Sequence, residues 1–307
     1  MDKHLGIDVG GTFIKYGIVD DTGKVLSSSK IKTERKNPDA VVESISNLIT
    51  EQTANQKIAK IGLSIPGVVS NDGTLLTAGA IEGLSGHNII NEVYEKTGRK
   101  ISVINDANSS ALAEHWVGAA KHYDNFVSLP LGTGVGGAIY INGKLVTGRI
   151  GAAGEFGMML MDRGNTEPLE YESSSFYCGA VAGLCRIYSY KIGKKKMSDW
   201  ELDVRKILEL ASEGDKIAQE SLTEFYHNVA VLLLNISVSL DPELILIGGG
   251  ISENPIIMTG IKKAATKISE EYSSIKNIGF PKVEACVTRN QAGLIGAVAH
   301  AIRQAEL

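Results

Sequence analysis

What narrows the fold of this 307-residue chain most is a pattern that occurs twice. The first copy is an apolar strand over residues 5–9, the glycine tip Gly10-Gly11-Thr12, a strand over 13–19, the turn Asp20-Asp21-Thr22-Gly23 and a strand over 24–30. The second is a strand over 126–131, the tip Gly132-Thr133-Gly134-Val135-Gly136-Gly137, a strand over 138–141, the turn Asn142-Gly143 and a strand over 144–146. Both turns end in Gly-Lys, at Gly23-Lys24 and Gly143-Lys144. A repeat on this scale predicts two domains built on one plan, each around its own sheet. In both copies the tip joins strand to strand. It is therefore not the strand-to-helix loop of a dinucleotide fingerprint. Adjacent glycines let backbone N–H groups approach an anion closely.

The intervening segments fill in an α/β fold. Residues 39–52 have helical period, with Val42, Ile45, Leu48 and Ile49 on one face. A buried strand over 58–65 is closed by Pro66-Gly67, and a helix over 89–97 stops at Gly98. A strand over 101–104 delivers Asn105 and Asp106 to the start of a helix over 107–116. Open α/β sheets place their chemistry at such strand–helix junctions. Asn and Asp there also read as helix caps. Beyond the second copy, a glycine-rich loop over 148–157 contains Glu155. Helical patterns follow over 173–186, 198–214 and 216–240, the last broken by Asp241-Pro242. A strand over 243–247 runs into Gly248-Gly249-Gly250, and a helix over 255–269 follows. The chain ends with a strand over 283–287 and a helix over 292–303, where Gly293, Gly296 and Ala297 permit close packing. A boundary fits near Gly118-Ala119-Ala120, giving one domain of 1–118 plus the C-terminal helix (292–307), and a second of 119–291.

Charge and composition exclude other classes. The net charge of −4, with no long basic run, argues against a nucleic-acid partner. Lys194-Lys195-Lys196 reads as a solvated turn. The longest apolar run, near 229–234, is too short to cross a bilayer, so no membrane partner is expected. Met1-Asp2-Lys3-His4 leads into the first strand without a secretory pattern. Cys178, Cys185 and Cys286 form no spaced framework, which suits a reducing cytoplasm.

Six segments, in order, are similar to those of the ROK (repressor, open reading frame, kinase) family of sugar kinases. They are Asp8-Val9-Gly10-Gly11-Thr12, Ile65-Pro66-Gly67, Asn105-Asp106-Ala107-Asn108, Leu131-Gly132-Thr133-Gly134-Val135-Gly136-Gly137, Gly154-Glu155-Phe156-Gly157 and Leu246-Ile247-Gly248-Gly249-Gly250. The resemblance implies an α/β, actin-like (ribonuclease-H-like) ATPase fold of two similar domains with a cleft between them. It also implies a last helix that returns to the N-terminal domain, and a homodimer. Its substrates would be ATP, with Mg²⁺, and a sugar. Phosphoryl transfer needs positioning, charge neutralisation and a base for the incoming hydroxyl. Asp106 would be that base, with Asn105 orienting a neighbouring hydroxyl and Glu155, Ser64 and Gly67 facing the sugar. Gly10, Gly11 and Thr12 would hold the phosphates from one side, and Gly132, Thr133, Gly134 and Gly136 from the other. Gly248, Gly249 and Gly250 would lie against base and ribose. Asp8 would repel phosphate unless Mg²⁺, directly or through its water, stands between them.

The sequence also departs from the family pattern. Phe13 stands where many relatives carry Lys, leaving Lys15 as the nearest cation. Met158 stands where zinc-bearing relatives carry a His, and their cysteine cluster is absent, so no structural zinc is expected. Ser174, rather than Glu172, aligns with a second sugar-facing acid. Losing an imidazole and a carboxylate there removes partners for a free anomeric hydroxyl. The expected acceptor is thus the 6-hydroxyl of a hexose or β-glucoside, with N-acetylmannosamine as the alternative. A non-catalytic sugar sensor is a further alternative. The family's repressors carry an N-terminal DNA-binding domain, for which the early Asp8 strand leaves no room.

Overall fold

The computed structural model describes residues 1–81, 83–162 and 168–304. The chain divides into two compact units: Met1–Tyr123, Ala138–Ala153 and Val287–Leu307 form one, Asp124–Gly137 and Gly154–Cys286 the other.

The first unit is built on a sheet of order β3-β2-β1-β4-β5. Strands β1 (Lys3–Val9), β2 (Phe13–Asp20) and β3 (Val25–Lys32) are antiparallel neighbours, and β4 (Ile61–Ile65) and β5 (Ser102–Asn105) join parallel to β1. The pairing Val9↔Ile14 closes the first hairpin around Gly10-Gly11-Thr12. Helix α1 (Pro38–Asn55) begins where Asn37 accepts the Ala40 amide, with Pro at its first position, where a missing N–H costs nothing. Helices α2 (Ile89–Thr97) and α3 (Asp106–Trp116) follow their strands as the periodicity predicts. Leu5, Ile7, Ile14, Ile45, Ile49, Leu63 and Ile65 are fully buried and form the centre of the core.

Downstream the chain runs β6 (Phe126–Pro130), β7 (Ala138–Ile141), β8 (Lys144–Val146), α4 (Ser174–Cys178), a π-helical turn Ala180–Cys185, α5 (Arg186–Lys191), α6 (Val204–Ser212), α7 (Lys216–Leu240), β9 (Leu244–Gly248), α8 (Pro255–Glu271), α9 (Ser273–Ile278), β10 (Lys282–Ala285) and α10 (Ala292–Arg303). In the second unit β9 lies between β10 and β6, all parallel, so that Pro130 and Gly248 end side by side. The order of strand, glycine tip, strand, turn, strand recurs as the repeat predicts.

Three expectations change. The helix over 173–186 is interrupted at Gly179, whose backbone is extended. The Ala180, Val181 and Ala182 amides turn instead to the carbonyls of Gly132 and Thr133. The helix over 198–214 shrinks to α6, because Asp203 caps it by accepting the Arg205 amide. The third concerns the β7–β8 hairpin, which groups with the first unit rather than with 119–291. Its Tyr140 hydroxyl accepts from Arg303 of α10 at 3.2 Å and lies 3.5 Å from His115 Nδ1 of α3. Residues 305–307 of the expected C-terminal helix lie outside the described residues. Helix α10 packs on the first sheet and α3, with Gly296 against the Ser109 backbone and Gly293 against Asp8. Among the described residues no helix is long and apolar enough to cross a membrane.

Candidate active site

The start of α3 decides which of two residues, each a cap by type, holds the helix end. Asn105 is buried and is the cap: its Oδ1 accepts the Ala107 amide at 2.9 Å and the Asn108 amide at 3.1 Å. Its Nδ2 donates to the Gly67 carbonyl at 2.6 Å. The amide therefore ties the Pro66-Gly67 turn to the helix. Gly67 is required there, because φ is +96° and a Cβ would run into the Thr77 carbonyl. Asp106 is the first helical residue and is exposed. Its Oδ1 accepts the Ala107 amide at 2.8 Å. A carboxylate at a helix N-terminus is held by the free amides and the dipole while still facing solvent.

Behind the first glycine tip, Asp8 on β1 faces Lys15 across the β1–β2 register and Ser64 across β1–β4. The Ser64 hydroxyl donates to Asp8 Oδ1 at 3.0 Å, and Lys15 Nζ lies 3.7 Å from Oδ2. Burial pushes the Asp8 carboxyl above its ordinary range, while the Lys15 charge and the Ser64 hydroxyl pull it back. This relocates Ser64, which was expected to face the sugar. It is fully buried and its hydroxyl is committed to Asp8. The tip itself is held by the Gly10 amide donating to Phe13 O at 3.0 Å and by the Thr33 hydroxyl donating to Gly10 O at 2.7 Å. Thr12 is exposed at its end. Thr33 carried no signal in the sequence.

In the second unit the Gly132–Gly136 tip and the glycine triplet meet at the ends of β6 and β9. The Leu131 amide donates to Gly248 O at 3.0 Å. Gly249, at φ +82°, lies where any Cβ would strike the Leu131 carbonyl. Gly250 has open space beside it, as does Gly132. Ser175 stitches the tip together: its Oγ accepts the Val135 amide at 3.1 Å, and Gly134 and Gly157 have no room for a Cβ beside it. The sequence showed Ser175 only as part of a hydroxyl-rich helix start. Glu155 is half-buried at the head of a 3₁₀ turn, Phe156–Met158, and burial pushes its carboxyl up. Met158 is 66% exposed. Ser174 is fully buried, with its hydroxyl donating to Phe156 O, and Glu172 is buried two residues earlier. Cys178 and Cys185 are free and fully buried in the helical segments, and burial pushes the Cys185 thiol up to about 12. Both are core residues, inert as thiolates.

The ROK family profile matches residues 4–304. A β-glucoside kinase of Listeria monocytogenes is 31% identical over 306 residues, 98% of this chain and 98% of that protein. A ROK family protein from Streptococcus pneumoniae TIGR4, solved in complex with sucrose, matches with a TM-score of 0.86 at 30% identity over 99% of both chains. A ROK family glucokinase from Streptomyces griseus, solved with glucose and AMPPNP, matches with a TM-score of 0.79 at 26% identity, over 98% of this chain and 99% of that one. Agreement along almost the whole chain, on the two-domain actin-like α/β fold of these structures, places this protein in the ROK family as a carbohydrate kinase.

Proposed function

We propose that the protein transfers the γ-phosphate of ATP to the 6-hydroxyl of a glucose-type ring that accepts a substituent at carbon 1, a β-glucoside. Asp106 is the general base: it is an exposed carboxylate at the first position of α3, placed by the Asn105 cap to take a hydroxyl proton. Gly67, tied to Asn105, and Glu155 position the sugar's hydroxyls. An ionised carboxylate such as that of Glu155 accepts strong, charge-assisted hydrogen bonds from hydroxyls. The tips Gly10-Gly11-Thr12 and Gly132, Thr133, Gly134 and Gly136 receive the phosphates, with the Gly10, Gly132 and Gly136 amides holding the tips in shape, and Gly248, Gly249 and Gly250 lie against base and ribose. Asp8 fits a Mg²⁺ brought with the nucleotide, because Mg²⁺ commonly takes one carboxylate, phosphates and water. When bound, the ion neutralises phosphate charge. A reducing, cytoplasmic setting agrees with the free, buried cysteines.

The observation that carries the choice of acceptor is Met158. An exposed, flexible thioether stands at the position where zinc-bearing relatives place an imidazole, and it can pack against an aglycone. The Listeria relative's name supports the β-glucoside, and the sucrose in the Streptococcus structure, an α-linked glucose, supports only a substituent at carbon 1. The test is relative kcat/KM for cellobiose or methyl β-glucoside against free glucose and N-acetylmannosamine, followed by coupled ADP release. We expect the glucosides to match or exceed free glucose. A strong preference for N-acetylmannosamine would overturn the assignment of the acceptor while leaving the kinase intact.

A further inference from the structure

The motif Asn105-Asp106-Ala107-Asn108 opens α3, and the chemistry proposed above uses only Asn105 and Asp106. Asn108 is 5% exposed, and its Oδ1 is buried without a hydrogen-bond partner. The helix end does not need this side chain, because Asn105 is the cap. A buried amide oxygen left unmet is costly, and a leucine would fill the same space without that cost. The position therefore asks for a partner from outside the chain.

Asn108 borders a cavity of about 280 Å³ that lies wholly in the first unit. Its apolar side is made by Ile90 of α2, Val103 of β5 and Leu145 of β8, and Asn71, Thr147 and His300 add polar groups. Gly151, at φ +85°, seats the loop after β8 directly against the Val69 carbonyl, so the walls are fixed to each other. Asn105 borders the cavity too, but its carboxamide is committed to α3 and to Gly67, and Asp106 does not line it. The cavity thus adjoins the catalytic junction without presenting the base.

Its chemistry selects a ligand class. No Asp, Glu, Lys or Arg stands among the described residues that line it. His300 is neutral near pH 7, since burial lowers its pKa to about 4. A charged ligand would find no counter-charge there, whereas hydroxyls would find Asn108, Thr147 and His300. Small-molecule sites are likewise mostly apolar with a few polar groups, and span roughly 300–1,000 Å³. This one lies at the small end of that range, far above the share of one water, about 30 Å³.

We propose that this cavity is a second binding site, for a neutral, hydroxyl-rich molecule of about monosaccharide size, with Asn108 as the group that recognises it. A ligand hydroxyl donating to Asn108 Oδ1 would satisfy the buried amide and stiffen the first turn of α3. The site stands apart from the sugar that is phosphorylated and does not depend on which acceptor that is.

Thr147 is exposed beside the cavity, and Cys178, Cys185 and Cys286 are all buried. Thr147→Cys therefore places one reactive thiol at the site. Alkylation of the full-length variant by iodoacetamide is timed with glucose, and with gluconate as the charged counterpart. We expect saturating glucose to slow alkylation at least about fivefold by mass action, and gluconate to leave it unchanged. Adding Asn108→Leu should abolish the protection while ADP release with the accepted sugar persists. Protection that survives Asn108→Leu would place the effect at the active site, and no protection at all would leave a water-filled crevice; either result overturns the proposal. Equal protection by gluconate overturns it as well, since the ligand must be neutral. Should the Asn108→Leu variant not fold, Leu145→Trp fills the cavity from β8 and is read in the same way. Should the protein phosphorylate none of the sugars, the kinase reading fails, and alkylation still decides the second site.

Discussion

The two glycine tips look alike as sequence and differ as chemistry. The first follows Asp8, a partly buried acid balanced by Ser64 and Lys15. The second follows Pro130-Leu131 and is held by backbone and a neutral hydroxyl, its carbonyls capturing the Ala180–Ala182 amides and its Val135 amide donating to Ser175. The proposed base, Asp106, is also in the first unit. The same order of strand, tip and strand thus carries charge beside one tip and close backbone approach at the other. Substitutions should therefore fail differently in the two units: by chemistry in the first, by strain in the second.

The largest effect is expected at Asp106. Replacing it with Asn keeps the size and removes the proton acceptor, so kcat should fall about 10²- to 10⁴-fold. Because Asn105 carries the cap, stability should change by no more than about 1 kcal/mol, the scale of a helix-dipole contribution. Coupled ADP release, sugar titration calorimetry and thermal melting measure the three quantities. Near-normal turnover with a lowered Tm would reduce Asp106 to a helix-terminus residue.

A comparison within the glycines is next in size. Gly249→Ala must hold a side chain at φ +82° against the Leu131 carbonyl, and should cost about 2–4 kcal/mol and raise KM for ATP. Gly10→Ala, with ordinary φ and its nearest neighbour, Phe13 O, at 3.2 Å, should cost under about 1 kcal/mol. Chemical denaturation of the two variants checks this directly. Equal losses would remove the contrast between a strained and an unstrained tip.

Local signals in the sequence set out the elements, and what they missed was non-local. Strand period, the turn glycines and the Asp241-Pro242 stop place most elements to within a few residues. The α3 junction was legible as well, but which of its two residues caps the helix was not. Asn105 becomes the cap because Gly67, 38 residues away, takes its other end. Ser64 looked like a pocket residue until the parallel register set it beside Asp8, 56 residues earlier. The break at Gly179 depends on carbonyls of the second tip, which periodicity within 173–186 cannot register. Glu114 is buried, yet it lies in a helix of mixed pattern, where an acid reads as a surface residue. The Thr288 hydroxyl that donates to it is 174 residues away.

The smallest effect is a pH dependence confined to the first unit. His300 on α10 is held near the Val103 carbonyl at β5, and its pKa is lowered to about 4, first by burial and then by the Arg303 charge, with the Val103 contact opposing them. The folded protein therefore prefers the neutral ring. Stability from this preference is fully present above the unfolded histidine value of about 6.5 and is lost as pH falls through that value toward about 4. Between about pH 7 and pH 5.5 the loss should be about 1 kcal/mol. His300→Gln removes the titration and keeps a donor for Val103. Denaturation curves of both proteins across this range should diverge toward neutral pH and converge as acid is added. Parallel curves would mean that His300 does not sense pH, and that the acid sensitivity of the first unit lies in its carboxylates.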